Sequence, residues 1–357
     1  MKKNIFILTS LATLLFACSK PSGNGFGPSS YTYNFDNVDY TEQSLNMLML
    51  EEMLDYAKTG EITGTTLNVT VLENMFSNTG SPFADATLNS SGFQLKSNCF
   101  PGDLGLIQAF MDSLVIASSS AVPGSNGISG IIASVSDTSN KFLLSANGWD
   151  YTEMIEKGIM GSVFYYQSLG ILFENISADD NLTVVSGQGT DMEHHFDEVF
   201  GYFGVPFNFP TNNTDVFFWG EYCNDLDGII NTNSLMMSAF IGGRKAISTS
   251  NYASRDVQIT NIRQNWDMMI AAAAIHEINE SLANFSDDAV RNHTLSEFVG
   301  FVLALKHNPY AKISSTEINT ITGYIGMNLY SVSVVNMNAA KNLLSSIYGL
   351  DAIKDIL

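Results

Sequence analysis

Positive charge is scarce in this sequence. Its 357 residues hold 16 Lys and Arg against 36 Asp and Glu, a formal net charge of −20. Neutralising nucleic-acid phosphates takes clustered basic side chains, so nucleic acid is excluded as a partner, and so is charge-driven docking on an anionic lipid face. Cysteine is nearly absent, with three residues at 18, 99 and 223 and no Cys-x-x-Cys pair. That excludes a paired-thiolate zinc site and a thioredoxin-type redox motif. No apolar run approaches the roughly 20 residues a membrane-spanning helix needs. The stretch 114–135 comes closest and is broken by Pro123, Gly124, Gly127 and Gly130. Several catalytic motifs are also missing. His276-Glu277-Ile278-Asn279-Glu280 lacks the second histidine of a zinc-protease helix. No pair of Glu-x-x-His segments offers a ferritin-type di-iron site, and no Gly-x-Ser-x-Gly marks a nucleophile elbow. Gly242-Gly243-Arg244-Lys245 has neither the spacing nor the hydroxyl of a phosphate-binding loop.

What is present begins with an address. Lys2 and Lys3 precede a twelve-residue apolar stretch, 5–16, which is too short to span a bilayer and reads as a signal peptide over residues 1–17. It ends Leu15-Phe16-Ala17-Cys18, which looks like a bacterial lipobox with Cys18 as the lipidated first residue of the mature chain. Cleavage there removes two lysines and no acids, taking the charge from −20 to −22. Residues 18–30, rich in Ser, Gly and Pro, read as a flexible tether. The lipid membrane, reached through Cys18, is therefore an expected partner. The expected location is the outer membrane, on its periplasmic side. Cys99 and Cys223 remain as either a disulfide or two buried thiols.

The body, residues 31–357, reads as all-α, a helical bundle. Apolar residues at helical spacing run over 41–59, 66–77, 149–169, 233–248, 255–285 and 334–348. Asp103 and Thr190 stand at expected N-caps, and Ser314 with Glu317 forms a capping-box pattern. Residues 118–148, rich in Ser and Gly, predict a long loop or a small hairpin. Trp149-Asp150 and Trp266-Asp267 each open an apolar segment, which suggests two pseudo-repeated bundles with halves 31–204 and 233–357.

All five histidines lie at 194, 195, 276, 293 and 307, on expected helices or their ends. The segment 191–198 places His195 and Glu198, and His194 and Asp197, three residues apart on one helix, beside an apolar stripe of Met192, Phe196, Val199, Phe200 and Phe203. An imidazole and a carboxylate one turn apart offer donors to a divalent or ferric ion, with further ligands needed from another helix. His276 and Glu280 are the expected contributors, since they continue the face of Ile262, Trp266, Met269 and Ala273. His293 with Glu297 is a third pair at this spacing, and His307 is expected to interact with a helix C-terminus.

Tyr33–Tyr40, the run Glu193-His194-His195-Phe196-Asp197-Glu198 through Pro206, and Asn265-Trp266 with its alanine-rich helix together resemble an uncharacterised bacterial lipoprotein family, domain of unknown function 4856. A looser resemblance runs to imelysin-like periplasmic lipoproteins through His195-Phe196-Asp197-Glu198 and Gly201, although Glu193 stands where that motif has glycine. The second resemblance implies two helical bundles and a part in iron uptake, with a peptidase activity as its other implication.

Three functions are thus expected. The first is a lipid-anchored, non-enzymatic envelope protein that binds metal, iron by this reading, through His195 and Glu198, with His194 or Asp197 orienting them and His276 and Glu280 completing the set. The second is an interaction or glycan-binding lipoprotein partnering an outer-membrane receptor, with Phe207, Phe209, Phe217, Phe218, Trp219 and Tyr222 as an aromatic surface. The third is an imelysin-like metallopeptidase.

Overall fold

The computed structural model describes residues 32–357. The signal peptide, the tether and Cys18 lie outside them. The chain is a helical bundle: α1 (Thr41–Lys58), α2 (Val69–Ser77), α3 (Leu104–Ser118), α4 (Tyr151–Ile159), α5 (Asp191–Phe203), α6 (Trp219–Ile230), α7 (Thr232–Ser248), α8 (Tyr252–Ala283), α9 (Asp288–Ala304), α10 (Ser315–Ile325) and α11 (Val334–Tyr348), with shorter helical turns between them. The 118–148 segment contains a small antiparallel hairpin, β1 (Gly130–Ala133) with β2 (Lys141–Leu144), in which Gly130 pairs with Leu144. It is pinned to the bundle by Asp287, the N-cap of α9, which accepts hydrogen bonds from Ser134 Oγ and the Val135 amide.

Local chemistry explains most helix ends. Thr190 and Glu193 close a capping box at the start of α5, and Ser314 and Glu317 do the same for α10. Gly204 and Gly349 end α5 and α11 in the left-handed region. Asp103 departs from expectation. Its side chain makes no capping bond; it pairs with Lys306 at 2.7 Å and His307 at 3.0 Å across the bundle. His307 is accordingly buried with that carboxylate as its partner, and burial lowers its pKa, which works against the cation expected at a helix end.

One apolar core runs from Tyr33 to Leu357. The long helix α8 crosses its centre, and from Trp266 to Ile275 nearly every side chain is buried. α4 continues into a π-helical stretch, Met160–Leu172, and packs on α9 from the other half of the chain. The two Trp-Asp pairs occupy unlike places. Asp150 caps α4, with Trp149 only partly buried, whereas Trp266 and Asp267 lie deep within α8. Cys99 and Cys223 are free and buried.

The aromatic segment after α5 also packs inward. Phe209, Phe218 and Trp219 are buried, and Phe207, 54% exposed, is the chief aromatic facing solvent. The expected aromatic surface is thus largely part of the core.

Candidate metal centre

The sequence-designated cluster on α5 is divided among separate partners. His195 is 36% exposed, with Nδ1 2.7 Å from Asp179 Oδ2. Glu198 accepts a hydrogen bond from Gln43 Nε2 at 2.9 Å and lies 3.9 Å from His194 Nε2. Asp197 is fully buried. It accepts from Tyr33 Oη and, at 2.8 Å, from Arg244 Nε, so it ties the N-terminal segment to α7 rather than orienting a histidine. His276 and Glu280 point to solvent. They do not continue the buried face of α8. That face runs Trp266, Ile270, Ala273, Glu277, Ser281, so the carboxylate carried inward is Glu277.

Among the described residues, one set of three brings its ligand atoms within 4.8 Å of one another: Asp150, Glu153 and His293. Each is placed by its element. Asp150 is the N-cap of α4. Its Oδ1 accepts from the Thr152 amide at 3.0 Å, which leaves Oδ2 to face His293 Nδ1 at 2.9 Å. Its own amide donates to Ser296 Oγ on α9 at 3.0 Å, which locks the two helices in register. Gly148, at φ +85°, lets the chain pass there, since a Cβ would lie 2.4 Å from Asn292 Nδ2. Glu153 stands one turn along α4. His293, on α9, is stacked under Phe142 of β2, with centroids 4.1 Å apart and planes at 24°.

Behind the triad lies a dry network. Lys157 is 1% exposed and meets Glu153 at 2.9 Å, Glu156 at 2.7 Å and Glu297 at 3.3 Å. The rings of Tyr222 and Phe301 flank its ammonium at 5.3 and 5.4 Å. Burial opposes the charge on Lys157, but the three carboxylates outweigh it and hold the pKa well above the ordinary value. Burial, then the charge of Glu297, pushes Glu277 well above the carboxylate range, so it is protonated and shares that proton with Glu297. Burial likewise works against Glu297, yet Lys157 and His293 bring it down to about 2. His293 resists desolvation through its bond to Asp150 and the charges of Glu153 and Glu297, which raise it to about 9. Glu61, at the outer side, is pushed up to about 7 by burial and then by Asp150.

The charges do not balance. Asp150, Glu153, Glu156, Glu277 and Glu297 surround Lys157 and His293. A buried charge needs a partner or a metal, and here carboxylates outnumber cations; a metal held by His293 would take the place of its proton.

The family model of the domain of unknown function DUF4856 matches residues 28–325. The chain belongs to that family. No curated protein and no solved structure matches it. The imelysin likeness gains no support from these comparisons, and the family carries no activity to transfer.

Of this centre, the sequence exposed the His293–Glu297 pair. It also showed Asp150 at a helix start. Glu153 with Lys157 was visible as an i,i+4 acid–base pair, but such pairs are common on solvated faces. His276 and Glu280, rather than Glu277, were assigned to the buried side of α8, because a helix apolar nearly all round offers no polar face to fix its phase.

Proposed function

We propose that this protein is a lipid-anchored envelope protein that binds a divalent metal ion, without catalysis, at Asp150, Glu153 and His293, with Glu61 at the outer side. The observation that carries the reading is the convergence of these three ligand atoms within 4.8 Å beside a network in which carboxylates outnumber basic groups. Two carboxylates and one imidazole suit ferrous iron, manganese or zinc and do not suit a soft monovalent metal. Ferrous iron is the ion the uptake reading requires. The ligands replace those named from the sequence: His195 is engaged by Asp179, and His276 and Glu280 face water. The surrounding field of a chain with net charge −20 concentrates cations near the surface. Anchoring rests on Cys18 and the lipobox before it. The test is anaerobic calorimetric titration with Fe2+ of chelator-stripped protein, in wild type and in His293→Gln, Glu153→Gln and His195→Ala. One equivalent should bind, with affinity lowered at least tenfold by the first two substitutions and unchanged by the third. Equal binding in wild type and His293→Gln defeats the reading.

A further inference from the structure

Away from the residues of the candidate metal centre, the bundle opens into a cleft of about 590 Å³ between the end of the π-helical stretch and the first turns of α8. That volume lies within the range of small-molecule sites. The sequence has four arginines, and two of them, Arg255 and Arg263, line this cleft. They stand eight residues apart with Ile259 between, on one face of α8. Arg263 is almost wholly buried and lies between rings, 4.6 Å from the Tyr310 centroid and 5.9 Å from that of Phe173. Its Nη1 donates to Asn308 Oδ1 at 3.2 Å and its Nη2 to Glu174 Oε1 at 2.6 Å. Arg255 donates through Nε and Nη2 to the exposed Asp256, while its Nη1 has the Met192 thioether at 3.2 Å. Gln264 and Ser177 stand at the rim with exposed polar ends.

We propose that this cleft binds a small organic carboxylate with a flat apolar body. A guanidinium fork is built to take two carboxylate oxygens side by side. Here Glu174 engages it through one oxygen, from a side chain one-third exposed and free to swing away. Glu174 is a placeholder for the ligand carboxylate. The ligand's ring takes the space beside Tyr310, Phe173 and Ile259, and the Arg255–Asp256 ion pair lines the same cleft. The lining sets Arg255 and Arg263 against Asp256 and Glu174, so the cleft becomes cationic once Glu174 swings out.

The placeholder relation gives the test its sign. The probe is 4-fluorobenzoate, followed by fluorine NMR titration against the metal-stripped full chain, with 4-fluorobenzyl alcohol as the neutral counterpart. Saturable binding of the acid and none of the alcohol is expected. Glu174→Gln should tighten the acid several-fold, Arg263→Gln should weaken it at least tenfold, and Tyr310→Ala, at an exposed position, should weaken it by a smaller factor. Because Arg263→Gln removes a buried charge and can unfold the chain, the Glu174 and Tyr310 variants decide the matter alone. No saturable binding, equal binding of acid and alcohol, or an affinity untouched by Glu174→Gln would each overturn the proposal. Metal binding at Asp150, Glu153 and His293 is independent of every one of these results.

Discussion

Lys157 shows what a buried charge demands of its neighbours. Three carboxylates and two aromatic rings hold its ammonium away from water. Removing one partner from such a network leaves the others uncompensated, at a cost of about 3–5 kcal/mol. Lys157→Met should therefore lower the urea midpoint sharply, and a midpoint equal to wild type would show that the carboxylates relax by other means. His293 gives a pH signature. Its folded value of about 9 stands above the ordinary 6.5, so the fold favours the cation. That stabilisation is complete below about pH 6.5 and is lost as pH rises through 9, amounting to roughly 3 kcal/mol in the metal-free protein. Melting temperatures of chelator-treated wild type should fall across this window, and those of His293→Gln should be nearly flat in its upper part, above the titrations of Asp197 and Glu61 at about 7. Burial raises Asp197 to about 7 as well, but its destabilising ionisation is over before the upper part of the window. Residue identities alone revealed the His293–Glu297 spacing, yet not that Asp150 would turn toward it, since an N-cap aspartate most simply serves its own helix. They drew attention to His194 and His195 because charge is densest there, while the structure gives those side chains local partners.

Helix boundaries were the most legible feature, because caps and stops are written in single residues such as Thr190, Gly204, Ser314 and Gly349. Helix facing was legible only where polar and apolar sides differ. On α8 the solvent side moves from Asp256, Thr260 and Gln264 to His276 and Glu280, and the buried middle carries no mark of that rotation. The crossing of α4 and its π-helical continuation against α9 depends on small residues. A Cβ on Gly300 would lie 2.5 Å from Lys157 Cβ, and one on Gly161 2.7 Å from Ala304 Cβ. Gly300→Ala must push the helices apart at the charge network, costing about 1–3 kcal/mol despite the better helix propensity of alanine. Equilibrium denaturation checks this. A stabilised Gly300→Ala protein would mean that the two helices tolerate a wider separation at this contact.

At the scale of the molecule, one apolar core spans both suggested halves. α4 belongs to the first half by sequence and to α9 by packing, and Asp150 bonds to Ser296 across that division. A fragment of residues 31–204 lacks the α9 surface on which α4 rests, and it should be poorly soluble or show no cooperative melting. A stably folded 31–204 fragment would restore the two-bundle reading. Among the described residues no helix is long and apolar enough to cross a membrane. The central claim is that helices from both parts of the chain meet to hold a divalent ion. Anaerobic Fe2+ titration of the stripped protein, wild type beside His293→Gln, tests it most directly. The account predicts one saturable equivalent for wild type with at least a tenfold loss in the variant, and identical isotherms, or none at all, would contradict it.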